Sequence, residues 1–208
     1  MTMTEVTAQQ VSALRKSSGA GMMDAKHALL EADGDVERAA DILREKGLAS
    51  ARKRSDRATD QGTIGHYLHF QADRPVIGAL VELSSETDFV AKSEGFQEVA
   101  RDIAMHVAAA QPRWVCRDDV PEEVLAKERE LITAQARNDG KPENVIDKIV
   151  EGRVASFYEE MVLYDQAFVN PEKFDGSVEE MVEALAVQMR ENIAVRRFSR
   201  VGVGEPAE

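Results

Sequence analysis

Apolar residues in the first 47 positions recur at three- and four-residue spacing in three short runs separated by glycine signals. Thr7 with Gln10 has the form of a capping box, and Ala8, Val11 and Leu14 share one helical face until Ser17-Ser18-Gly19 stops the run. A second helix is predicted over Asp24 to Ala32, with Ala25, Leu29 and Ala32 on one side and Asp33-Gly34 as its stop. Asp35 caps a third that holds Val36, Ala39, Ala40 and Leu43 and ends at Gly47. Helices this short need mutual burial, so residues 1–48 are predicted to form a three-helix bundle. From 49 to 61 almost nothing apolar exceeds alanine in size, which predicts a linker there. Its cations, Arg52, Lys53, Arg54 and Arg57, read first as a solvated tail and second as a contact for an acidic partner.

The period then shortens. Thr63 to Phe70 and Val76 to Leu83 alternate as strands, with Ala72 to Pro75 as their turn and Asp73 and Pro75 supplying its chemistry. Phe96, Val99, Ala100, Ile103, Ala104 and Val107 return to helical spacing, giving an amphipathic helix that can cover the hairpin and stops at Pro112. Pro121 and Pro142 each open a charged segment with a sparse apolar seam, and Asn138-Asp139-Gly140 turns the chain between them. Residues 121–164 are therefore predicted to form an antiparallel helical hairpin standing partly away from the core. Ser177 and Glu180 form another capping box. Ile193 to Val203 closes the pattern as a third antiparallel strand, with Ile193, Val195, Val201 and Val203 on one face and Arg196, Phe198 and Arg200 on the other. The fold class is α+β: the bundle, then a core over 62–208 with a three-stranded antiparallel sheet, packed helices and the helical hairpin.

Charge narrows the function. A net charge of −12 has the wrong sign for wrapping a phosphate backbone, so direct nucleic-acid binding is not expected. Cys116 is the one cysteine, which excludes an internal disulfide. A polar start and the lack of a long apolar run predict a cytoplasmic chain with no membrane contact.

Catalytic chemistry finds little support. His27, His66, His69 and His106 have no partners at metal spacing, so neither metal nor cofactor is expected. Gly19-Ala20-Gly21 follows a helix rather than a strand and lacks a Gly-Lys-Ser/Thr continuation, which makes it a turn. A hydrolase built on His66 or His106 lacks a supporting constellation. Two features stay open. Met22 and Met23 at a helix start cannot both face one small core, and read as packing overflow or as an adaptable contact for a partner. Phe89 and Val90 interrupt the polar junction from Ser84 to Ser93; the more frequent reading folds Phe89 under the loop, and the other projects it as an anchor.

Ser18-Gly19-Ala20-Gly21-Met22-Met23-Asp24 and Thr87-Asp88-Phe89-Val90-Ala91 resemble, in order, the two signature segments of the elongation factor Ts family, in its short bacterial form. The likeness continues through Asp102 to His106, Gly140-Lys141-Pro142, Ile149 to Arg153 and Glu191-Asn192-Ile193. It implies that the bundle is like a ubiquitin-associated domain and the core carries a protruding coiled coil. It also implies a partner, elongation factor Tu in its GDP-bound and nucleotide-free forms, and an exchange activity that speeds GDP release. By the same resemblance Thr87, Asp88, Phe89 and Val90 approach the GTPase's magnesium and phosphate region, with Phe89 as a wedge and Asp88 disturbing the groups that hold the magnesium. Arg15, Met22 and Met23 match further contacts with the GTPase, and His106, a core-helix histidine, is counted among those partner contacts by the same resemblance. Longer members carry two related core units where this chain has one, which implies a homodimer engaging two GTPases, with the strand at 193–203 as one candidate edge. The rival is a protein-binding adaptor of the ubiquitin-associated type, without exchange activity.

Overall fold

In the computed structural model, which describes residues 6–206, the elements run α1 (Ala8–Ser18), α2 (Met22–Glu31), α3 (Val36–Arg52), β1 (Gln61–Gln71), β2 (Arg74–Ser85), α4 (Asp88–Ala91), α5 (Glu94–Ala110), α6 (Glu122–Asn138), α7 (Glu143–Met161), α8 (Val178–Met189) and β3 (Ile193–Gly202). The reading of the first residues as polar falls in part on 1–5, outside the described residues. The chain gathers into two compact units. One holds the residues through Thr59 together with Glu183–Ile193; the other holds Asp60–Val182 and the residues from Ala194 onward.

In the first unit the three amphipathic helices bury Val11, Leu14, Ala25, Ala28, Leu29, Ala32, Ala39 and Leu43 in one cluster. The Thr7–Gln10 capping box opens α1, and Asp35 accepts from Arg38 N to open α3. Gly47, expected to end α3, lies inside it. A Cβ on Gly47 would stand 2.7 Å from Val187 Cγ1, so this glycine serves a close approach by the end of α8, not a helix stop.

The second unit is a sheet of order β1-β2-β3. β1 and β2 pair antiparallel in register Gly65↔Val81, through a tight turn in which Ala72 and Asp73 both take positive φ. A two-residue turn of that kind matches the twist of the strands. Pro75, expected in the turn, instead pairs with Phe70 in β2 beside a register shift. Val203 N donates to Val76 O and Ser84 Oγ to Ala194 O, so β3 runs antiparallel along β2. Its side chains do not keep one face. Ile193 and Val195 are buried, but Val201 and Val203 are exposed, and Arg200 Nε donates to Ala108 O at the end of α5. In the second half of the strand it is Phe198, Arg200 and Gly202 that are half-buried, the reverse of the expected alternation.

α5 covers one face of the hairpin with Phe96, Ala100, Ile103, Ala104 and Val107, all inaccessible to solvent. The opposite face leaves Ile64, Leu68 and Leu80 exposed, with Leu80 paired to His66 and Leu68 to Gly78. α6 and α7 form the antiparallel hairpin, packed on each other through Ile132, Ala136, Ile146 and Val154 and turned at Gly140, whose φ is +70°. No helix of the described residues is long and apolar enough to cross a membrane.

The tightest point in this unit is Gly65, where a Cβ would stand 2.0 Å from the Ala100 carbonyl oxygen of α5. Neither partner is a movable side-chain tip. Gly65→Ala should therefore force α5 off the sheet and cost about 1–3 kcal/mol, as overpacking does. Urea unfolding followed by circular dichroism should show a lowered midpoint at unchanged slope; an unchanged midpoint would contradict this packing.

Candidate functional site

β2 ends at Ser85 and α5 begins at Glu94, leaving a short junction to turn the chain from sheet to helix. One helical turn, α4, fills it. Thr87 is its N-cap, with Oγ1 accepting from Val90 N at 3.4 Å, and the buried Ser85 donates Oγ to Thr87 O at 3.0 Å. Ser93 Oγ donates to Val90 O at 2.8 Å and fastens the far end. Successive residues of a helix point about 100° apart, so a single turn lying on a sheet cannot bury all its side chains. Here Val90 and Ala91 are the buried ones, and Phe89 is left 83% exposed. The pattern-based reading of Phe89 as local core is thus overturned: it is Val90 that folds under.

Asp88 stands beside Phe89 and receives Lys92 Nζ at 2.6 Å, one helical turn on. The hydrogen bond and charge of that ammonium hold the Asp88 carboxyl below the usual range, so it stays ionised at neutral pH. The pairing partner Lys92 has only its i,i+4 spacing from Asp88 as a sequence signal, and the motif alone does not point to it. Thr87 to Val90 therefore present an apolar ring and an anion side by side on a turn fixed at both ends.

The other residues singled out lie elsewhere. Arg15 is exposed in the last turn of α1. Met22 and Met23 open α2 and are both exposed, at 61% and 57%, where the sequence reading required only that they not both face the bundle core. Ala25, Ala28 and Leu29 already fill the bundle side of α2, which leaves no inward position for either. These three belong to the first unit, and Thr87 to Val90 with His106 to the second.

His106 has no solvent exposure. Val169 N donates to Nδ1 at 3.2 Å, which places the ring proton on Nε2, and Nε2 faces Gln166 Oε1 at 2.8 Å. Gln166 Nε2 then donates to Glu160 O at 2.6 Å. Burial pushes the imidazole pKa down, outweighing the upward pull of the Gln166 bond, so the ring is neutral. His106 thus fastens α5 to the segment after α7, and in this conformation it offers no surface. Gln166, buried beside it, escapes sequence reasoning because a lone glutamine in an irregular segment carries no periodic signal.

Among the described residues no group of three or more histidine, cysteine, aspartate or glutamate side chains is placed to hold a metal ion. The features that stand out are the exposed Phe89 with Asp88, and the exposed Met22 and Met23.

Comparison with known proteins agrees along nearly the whole chain. The family model described as Elongation factor TS matches residues 3–205. Curated relatives named elongation factor Ts include that of Caldanaerobacter subterraneus subsp. tengcongensis, 48% identical over 204 residues that cover 98% of this chain and 99% of the relative. That of Thermosipho melanesiensis is 49% identical over 200 residues, covering 96% of this chain and all of the relative. A third, from Geobacter sulfurreducens, is 48% identical over 203 residues, covering 98% and 92%. With a match of this length, and both signature segments inside it, the chain belongs to the elongation factor Ts family and is a translation elongation factor.

Proposed function

We propose that this chain is a guanine-nucleotide exchange factor that binds elongation factor Tu carrying GDP, disturbs its magnesium and phosphate site, and promotes release of the GDP. The observation that carries the proposal is Phe89, 83% exposed on a turn whose other apolar residues are buried. A large ring held in water by rigid flanks is free energy reserved for a partner surface. Inserted as a wedge, it would displace the GTPase backbone that donates N–H groups to the phosphates, while the neighbouring Asp88 anion would help displace the groups that hold the magnesium. Losing that cation leaves the phosphates under-compensated, and both effects raise the GDP off-rate. No covalent bond is made or broken. Linkage requires reciprocity: the factor by which this chain weakens GDP is the factor by which GDP weakens this chain. Arg15, Met22 and Met23 supply a second contact, for which exposed thioethers are suited because they adapt to a surface without strict shape. His106 acts from behind, by fixing α5.

The sheet supports a further part of the reading. Ile64, Leu68 and Leu80 lie exposed on the face away from α5, next to an Arg197–Glu82 pair at 2.6 Å. A central apolar strip with a charged margin is the composition of an interface, and a second copy of this chain supplies a matching strip under two-fold symmetry. We take the homodimer to form there.

Two outcomes follow. Burying a phenylalanine is worth about 1.5–3 kcal/mol, so Phe89→Ala should lower kcat/KM for GDP release by roughly 10- to 100-fold, read by stopped flow with a fluorescent GDP analogue; a folded variant with normal acceleration would refute the wedge. Leu80→Asp should convert the dimer to a monomer in light scattering at micromolar concentration with the helical signal unchanged, whereas a wild-type chain that is monomeric at that concentration would refute the dimer.

A further inference from the structure

Met22 and Met23 do not stand alone at the start of α2. The end of α8 belongs to the same unit, and Arg190, the residue that follows it, reaches this point. Its Nη2 lies 3.9 Å from Oδ2 of Asp24, the next residue after the methionines. Gly21, on their other side, leaves the room: a Cβ there would stand 2.7 Å from Asp24 Oδ2 and 3.3 Å from Arg190 Nη2. The segment Gly21-Met22-Met23-Asp24 thus brings two exposed thioethers, a carboxylate and a guanidinium together at one helix start.

Arg190 is an unusual residue for its place. Its φ is +60°, in the left-handed region where a side chain is strained and where helices end by preference in glycine. Burial does not offset that strain, since the side chain is 65% exposed. Nor does a close bond, because 3.9 Å is within ion-pair range but longer than a hydrogen bond, and such exposed pairs add little stability. Neighbouring cations of the same unit are engaged within the chain: Arg54 Nη2 donates to Ala186 O at 3.3 Å, and Arg52 Nε meets Glu183 Oε1 at 3.4 Å. A strained side chain that does so little for its own fold points to a role outside it.

We propose that Arg190 is a further partner-binding residue for nucleotide exchange, extending the Met22 and Met23 contact by a charged bond to a carboxylate of the GTPase. The inference rests on the exchange reading. A guanidinium carries only donors, in a planar fork that matches a carboxylate. Asp24 orients that fork without taking its donors. Methionine and arginine are both enriched where proteins meet, and thioethers that exclude water around a charge pair strengthen it. The bond is made to the GTPase whether or not its GDP has left, so it lowers KM and leaves kcat alone.

The test uses the full chain in stopped-flow release of a fluorescent GDP analogue, with urea unfolding beside it. Arg190→Gly removes the guanidinium and the backbone strain together, so its two effects separate. The urea midpoint should equal or exceed that of wild type, while KM for the GDP-bound GTPase rises about 10-fold at unchanged kcat. Arg190→Glu keeps the strain and reverses the charge, so its KM should exceed that of Arg190→Gly. A wild-type KM in Arg190→Gly would overturn the proposal, as would a lowered midpoint, which is the mark of a structural role. A KM for Arg190→Glu no higher than that for Arg190→Gly would overturn the carboxylate as the group bound. Should Arg190→Glu fail to fold by circular dichroism, salt decides: added salt should raise the KM of wild type more steeply than that of Arg190→Gly, and parallel curves would overturn the carboxylate. If wild type itself gives no acceleration, the exchange reading falls and this contact with it; acceleration that Phe89→Ala reduces and Arg190→Gly leaves untouched sinks the Arg190 contact alone.

Discussion

The second unit depends on one close approach, that of β1 to α5 at Gly65. With no Cβ in the way, the α5 backbone at Ala100 comes down onto the strand, and Phe96, Ile103 and Val107 close over the sheet around that point. The depth of that contact fixes where α5 begins relative to where β2 ends. The residues between Ser85 and Glu94 then have little choice: they must drop from a sheet edge to a helix start within a short span, and a single capped turn does so. The placement of Phe89 is thus a consequence of core packing several residues away.

An exposed phenylalanine is normally a liability, and the local structure limits it to one ring. Val90 and Ala91 are buried, Thr87 and Ser93 bond the turn at its two ends, and Lys92 covers Asp88. The exposed Met22 and Met23 are handled alike, on a helix that buries Ala25, Ala28 and Leu29 in the bundle. In each case the side chains that hold the segment and those that project from it alternate along a few consecutive positions, so neither segment forms a broad apolar patch.

Periodicity carried most of the architecture. The helices, the two longer strands and the antiparallel hairpin at 121–164 were legible because each buries one repeating face, and the capping boxes at Thr7 and Ser177 marked starts with a local hydrogen-bond pattern. What misled was residues whose local and tertiary meanings differ. Gly47 has the look of a helix stop, but its missing side chain makes room for Val187, 140 residues later. Pro75 suggests a turn, yet a tighter turn at Ala72-Asp73 places it in the strand. In β3 the inward face changes after Val195, and Arg200 bonds a helix-end carbonyl, a partner that no reading of that strand alone can supply. The site was legible only as a motif. Pattern favoured Phe89 as the residue that turns inward, but Phe89 and Val90 are adjacent and both apolar, and it is Val90 that is buried.

For the exchange reading, the rigidity of that turn matters as much as the ring on it. Ordering a flexible residue on binding costs about 1–2 kcal/mol of backbone entropy, so a floppy four-residue segment from Thr87 to Val90 would consume several kcal/mol of the binding energy before any displacement of the phosphate loop began. The cap at Thr87, the Ser85 and Ser93 bonds and the buried Val90 settle that cost when the chain folds. On that reading, what Phe89 would gain on the GTPase is not spent on ordering the turn, and linkage would return the same amount when GDP rebinds. A wedge that is ordered in advance can therefore be both strong and reversible, which is what a factor that must leave its partner after each round requires.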